Sequence, residues 1–138
     1  RILRIQPDNR IVINNLAWLL CEEKGKFTEA LELAQGGLKM VPNYIDLIDT
    51  RGVIYYQMGE FDKAIEDFTS CITLYPTGKP EAVASRFRLA KTFTKIGQNI
   101  KAVEHLNQAL DLQSRIGGLS NSELAEAQQL LRQLQEGI

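Results

Sequence analysis

The chain has 138 residues, 44% hydrophobic and 24% charged, with 16 Lys and Arg against 17 Asp and Glu for a net charge of −1. That balance excludes a disordered or collagen-like chain, and the length lets roughly 68% of the unfolded surface be buried without disulfides or metal. A near-neutral charge offers no standing attraction to phosphate backbones or anionic lipid, and no apolar run approaches the roughly 20 residues of a membrane span, so neither nucleic acid nor direct membrane insertion is expected.

In chain order, Arg1-Ile2-Leu3-Arg4-Ile5 reads as the last turn of a preceding element. With Arg rather than Met in first place, the expectation is a piece of a longer chain. The first predicted helix, about 8–23, carries Ile13, Leu16, Ala17 and Leu20 at the i, i+3, i+4, i+7 spacing of one apolar stripe. A turn at Gly25 leads into a second helix over about 27–40. Gly36-Gly37 inside it costs up to about 1 kcal/mol per residue relative to Ala, which predicts close approach of a neighbouring helix at Gly37. After the Pro42 break come helices over about 44–58 and 61–74, joined at Gly59, the second with Phe61, Ala64, Ile65, Phe68 and Ile72 in one stripe. Pro76 ends this pair, and Lys79-Pro80-Glu81-Ala82 opens a helix over about 80–96 with Pro80 in its first turn. Gly97 then separates it from a helix over about 98–113. Past Gly117-Gly118, the run Ser120-Asn121-Ser122-Glu123 is a capping-box pattern for a last helix over about 121–136. No strand pattern occurs, so the class is all-α. Cys21 and Cys71, each inside an apolar run, read as reduced core thiols, which leans toward a cytoplasmic setting.

One period runs through these elements. Pro7, Pro42 and Pro76 stand 35 and 34 residues apart, Gly25, Gly59 and Gly97 stand 34 and 38 apart, and Ala30, Ala64 and Ala102 repeat the last two intervals. The four residues beyond 34 amount to one helical turn, supplied by the early start at Pro80. Small residues at fixed sites let helix backbones approach to the short end of the 8–10 Å packing range, while aromatics fill the remaining gaps.

With a helix hairpin of about 34 residues, small residues at fixed positions and a closing proline, the chain resembles the tetratricopeptide repeat (TPR) family. Gly52, Tyr55, Phe61, Ala64, Phe68 and Pro76 match the middle unit. Ala17, Phe27, Ala30 and Pro42 match the first, which gains one residue in Glu22-Glu23-Lys24, and Ala90, Phe93, Gly97, Ala102, Leu106 and Ala109 match the third. Asn99 and Ser114 replace the third unit's expected aromatic and proline. Arg51 stands where the family usually has leucine, and Arg86 where it has a large apolar residue. The resemblance implies a right-handed α-solenoid of three repeats, about 8–42, 43–76 and 80–114, plus a C-terminal capping helix at about 121–136, in a single domain over 1–138. Glu123, Glu126, Gln129, Arg132, Gln133 and Glu136 give that last helix the polar face of a cap.

No catalytic constellation emerges, and no enzyme, cofactor or metal is expected. His105 is a lone histidine and reads as a solvated surface residue. Gly25-Lys26 and Gly78-Lys79 lack both the leading glycine and the hydroxyl residue of a phosphate loop. Asp46 and Asp49 lie three apart on one helix face and read as a solvated pair.

Surface shape remains. In the resembled family the first helices of successive units line a concave groove that holds a partner's peptide or helix. Carried over by position, that wall presents Asn14 and Trp18, then Asp46, Asp49, Val53, Tyr56 and Gln57, then Phe87, Arg88, Lys91 and Lys95. It is acidic in the middle and basic toward the third unit, with aromatic anchors interleaved. Family members that clamp a terminal carboxylate use basic residues with asparagine; Asn14 is present, but Asp46 and Asp49 would repel a carboxylate. The expected function is therefore a noncatalytic protein-interaction scaffold with a protein or peptide partner. The alternatives are self-association through open repeat ends and the substrate-recognition arm of a larger enzyme.

Overall fold

The structure is a computed structural model describing residues 9–137. Pro7, the expected helix start at Asp8 and the Arg1–Ile5 segment lie outside them. Among the described residues there are seven helices and no strands: α1 (Arg10–Glu22), α2 (Phe27–Met40), α3 (Ile45–Met58), α4 (Phe61–Leu74), α5 (Pro80–Lys95), α6 (Asn99–Ile116) and α7 (Asn121–Gly137). Only α6 departs from its expected span by more than two residues. With Ser114 where a proline would stop it, the helix continues to Gly117, and Arg115 closes an ion pair with Asp111 one turn back at 2.6 Å.

The turns explain the glycine period. Gly25, Gly59 and Gly97 take φ of 64°, 82° and 79°, a left-handed conformation costly for any residue with a Cβ. After α3, Glu60 N–H bonds to Tyr55 O at 2.8 Å and Gly59 N–H to Tyr56 O at 3.1 Å; after α5, Gln98 and Gly97 repeat this with Phe93 O at 3.0 Å and Thr94 O at 3.1 Å. Both are Schellman closures. The first hairpin closes one residue wider, from Lys26 N–H to Leu20 O at 2.9 Å, and so absorbs the extra residue of Glu22-Glu23-Lys24. Each second helix then begins alike: Ala30, Ala64 and Ala102 donate to Lys26, Glu60 and Gln98 carbonyls at 3.0, 3.1 and 3.1 Å. All three alanines are fully buried, as are Ala17 and Ala90 in the first helices.

The chain divides into two compact units, Arg1–Asp67 and Phe68–Ile138, with the division inside α4. In the first, α2 packs on α1 and α3, and α1 also meets α3. Gly37 is the point of closest approach: a Cβ there would stand 2.7 Å from Leu47 Cδ2 and 3.1 Å from Ile13 Cγ2. Helix α3 buries Leu47–Thr50 and Gly52–Tyr55, most of its circumference, as suits a helix packed on more than one side. Arg51 is no packing defect. Its Nε and Nη2 donate to Asp67 Oδ2 and Oδ1 at 2.9 and 2.8 Å, a fork-to-fork pair between α3 and α4.

In the second unit α5 packs on α6 and α6 on α7, around a core that includes Val83, Phe87, Leu106, Ala109 and Ala127. Gly118, at φ 116°, brings the α6–α7 loop so close to α5 that a Cβ would collide with the Pro80 carbonyl oxygen. The expected capping box is present: Glu123 N–H bonds to Ser120 Oγ at 3.1 Å, and Ser120 N–H to Glu123 Oε1 at 2.9 Å.

Candidate functional site

On the first unit, the Thr50 hydroxyl donates to Asn14 Oδ1 at 2.5 Å and lies 3.0 Å from the Asp46 carbonyl. This bond sets the Asn14 row of α1 beside the Thr50 row of α3. With Oδ1 occupied, the Asn14 amide keeps its N–H groups for another acceptor. Trp18, one turn along α1, is 38% exposed. On α3, Asp46 and Gln57 are exposed and Tyr56 is half-exposed, its ring edge-on to Phe61 with centroids 5.6 Å apart. Asp49 and Val53 are each only 8% exposed. Asp49 is thus a buried residue and not half of a solvated pair, because α3 is enclosed over most of its circumference.

On the second unit, Phe87 is 1% exposed and belongs to the core, so the expectation that it offers an aromatic contact to a ligand needs correction. Its ring instead supports Lys91, whose Nζ stands 5.1 Å from the centroid. Arg88 and Lys91 are already engaged: Arg88 Nη2 lies 3.4 Å from Glu123 Oε2, and Lys91 Nζ 3.1 Å from Glu126 Oε2. Two acids expected on the solvent face of the cap are therefore turned onto α5. Glu123 does double duty, one oxygen closing the capping box and the other meeting Arg88. Lys95 is exposed at the end of α5.

His105 is not a solvated residue. It is half-buried, stacked on Phe93 at 5.5 Å and 15° between planes, and its Nδ1 lies 3.1 Å from Arg86 Nη1. Burial, then the Arg86 charge, lowers its pKa below 6.5, against a smaller opposing pull from Glu104. The isolated position of His105 in the sequence gave no sign of this; the signal lay in Arg86, a charged residue at a site where the resemblance expects an apolar one. Among the described residues no group of three or more His, Cys, Asp or Glu is placed to hold a metal ion, and no helix is long and apolar enough to cross a membrane.

A family model described as Tetratricopeptide repeat matches residues 44–115, just over half the chain. No curated protein matches it. Among solved structures, the first TPR of Spaghetti (RPAP3), bound to the HSP90 peptide SRMEEVD, is similar over 99% of this chain and 98% of its own, with TM-score 0.78 at 17% identity. The Yersinia enterocolitica type III secretion chaperone SycD, in complex with a peptide of the translocator YopD, is similar over 94% and 95%, with TM-score 0.79 at 18% identity. The TPR2AB domain of yeast Sti1 in its pHSP90 complex is similar over 95% of this chain but 48% of its own, with TM-score 0.79 at 18% identity. At these identities the likeness establishes the fold. The buried Ala30, Ala64 and Ala102, the left-handed glycine turns and the family match together place the chain in the tetratricopeptide repeat family.

Proposed function

We propose that the protein is a noncatalytic interaction module that holds a peptide or helix of a protein partner on the faces of its first helices. The observation that carries this is the pairing of exposed Trp18 and the unoccupied Asn14 amide on α1 with half-exposed Tyr56 on α3, aligned by the Thr50–Asn14 hydrogen bond. Indole and phenol rings supply large contact area at low entropic cost and are the side chains most often found as anchors. Gln57, next to Tyr56, adds an amide, and exposed Asp46 adds a negative charge in the first turn of α3, which favours a partner segment with basic or amide groups. Peptide-bound Spaghetti and SycD share the fold and support a binding role. An acidic ligand such as the Spaghetti peptide is a poor match for Asp46, and on the second unit Glu123 and Glu126 already neutralise Arg88 and Lys91. Lys95, at the end of that row, is exposed.

Selection from a random peptide library tests this reading. Peptides recovered on the wild-type chain should bind about tenfold or more weakly to Trp18→Ala/Tyr56→Ala, the scale expected of anchor truncation, at a temperature where circular dichroism shows the variant folded. Undiminished binding by the double variant would refute the assignment.

A second reading, self-association, is favoured by the apolar residues that α1 leaves exposed, Ile11 at 63% and Val12 at 58%. Sedimentation should then show concentration-dependent dimers that Ile11→Asp abolishes. A monomer at all concentrations would eliminate it.

A further inference from the structure

The two arginines that depart from the family pattern have opposite surroundings. Arg51 spends its charge on Asp67 through two hydrogen bonds. Arg86, also half-buried, donates only from Nη1, to His105 Nδ1 at 3.1 Å and to Gln108 Oε1 at 2.6 Å, both neutral acceptors. No carboxylate pairs with Arg86 among the described residues. Burial lowers its pKa, whereas the hydrogen bonds to Asp67 raise that of Arg51. Both Nη1 hydrogens of Arg86 are used, which leaves the Nε–Nη2 edge, the edge that receives a planar oxyanion in two parallel hydrogen bonds. His105, accepting at Nδ1, carries its proton on Nε2 and is a second donor.

Arg86, His105 and Lys101 line a cavity of about 340 Å³ in the second unit, together with Leu89, Phe93 and Glu104. Lys101 Nζ lies 5.5 Å from the centroid of the Phe93 ring and forms no ion pair among the described residues. We propose that this cavity binds the carboxylate of an acidic side chain from a protein partner, received on the Nε–Nη2 edge of Arg86. Two cations against Glu104 leave the lining at 2 − 1 = +1, which matches a monoanion, and Glu104 repels the second charge of a phosphate dianion. The cavity is larger than a bare carboxylate needs, and Leu89 and Phe93 give the methylenes of a side chain an apolar wall. The site is distinct from the first-helix reading: Arg86, Leu89 and Phe93 follow i, i+3, i+7 on a different stripe of α5 from Arg88, Lys91 and Lys95, and the cavity stands even if those faces bind nothing.

Titration of the isotope-labelled protein, followed by NMR at the Arg86 Nε–H and the His105 ring, tests the proposal above neutral pH. The probes are Nα-acetylglutamate N-methylamide, its glutamine counterpart, acetate and inorganic phosphate. The expected result is saturable shifts with the glutamate probe, weaker binding of acetate and phosphate, and no response to the glutamine compound. In Arg86→Leu and in Arg86→Lys, which keeps the charge but loses the fork, His105 should respond about tenfold or more weakly, the weight of one charge-assisted hydrogen bond. An absent or non-saturable response, equal shifts with glutamine, or undiminished binding in a folded Arg86 variant overturns the site. Tighter binding of phosphate overturns the monoanion assignment, and acetate binding as tightly as glutamate overturns the side-chain source.

Discussion

Asp67 is 7% exposed in its side chain and depends on Arg51, while Arg51, 28% exposed, depends much less on Asp67. Burial raises the Asp67 carboxyl above 3.8 and the two Arg51 hydrogen bonds pull it part of the way back. Arg51→Leu should therefore cost about 3 kcal/mol, because it leaves a buried carboxylate unpaired. Asp67→Leu should cost less, about 1–2 kcal/mol, since solvent reaches the guanidinium it leaves behind. Urea denaturation of both variants checks the order, and equal costs would contradict it. The sign of the pH effect is also set: with Arg51 gone, the native-state pKa of Asp67 rises further above its unfolded value, so stability is full below pH 3.8 and falls as pH climbs through the native value. The cysteines give a second residue-scale test. Both are buried and outside any disulfide, and burial together with the neighbouring Glu22 charge pushes the Cys21 thiol up to about 11. Thiol reagents should label neither residue in the native protein and both in denaturant; rapid native labelling of Cys21 would show the α1 core to be open. The core thiols were legible in the sequence from their apolar runs. The Arg51–Asp67 pair was not, because two charged residues sixteen positions apart carry no periodic signal until the hairpin closes.

At the scale of the helix, the recurring unit rests on alanines placed where no larger side chain fits. Ala64→Leu should force off-rotamer packing at about 1–3 kcal/mol, read by chemical denaturation, and wild-type stability would contradict the close approach. The seam between α5 and α6 adds a pH-dependent element. His105 faces Arg86, Lys101 and Glu104, and its native pKa is depressed, so its share of stability is present above pH 6.5 and lost as pH falls through the native value. His105→Gln should flatten the stability profile over that range, and an unchanged profile would assign the effect to another group. Helix existence and order were legible throughout, since the 3.6-residue stripes, the glycine turns and the capping box at Ser120 each have a local cause. Which stripe faces what was less legible. Asp49 and Phe87 follow the spacing of a surface row, yet α3 and α5 are packed on more than one side and bury them. The pairing of α7 with α5 did leave a trace: Arg88 and Lys91 share a three-residue step with Glu123 and Glu126, a matched charge register between helices distant in sequence.

At the scale of the whole molecule, each unit offers a different chemistry. The first carries exposed aromatic surface and, at the start of α3, acidic Asp46, and the second carries basic residues that its own last helix largely neutralises, with Arg86 set apart in a cavity. This distribution explains why a net charge of −1 says little about recognition: what matters is where each charge is placed and how packing pairs it. The most direct test of the account is amide shift mapping of the chain with a library-selected peptide. Perturbations should fall on Asn14, Trp18, Asp46, Tyr56 and Gln57, with the second helix α2 unmoved. A footprint centred on α2, or none on α1 and α3, would contradict the assignment of binding to the first helices.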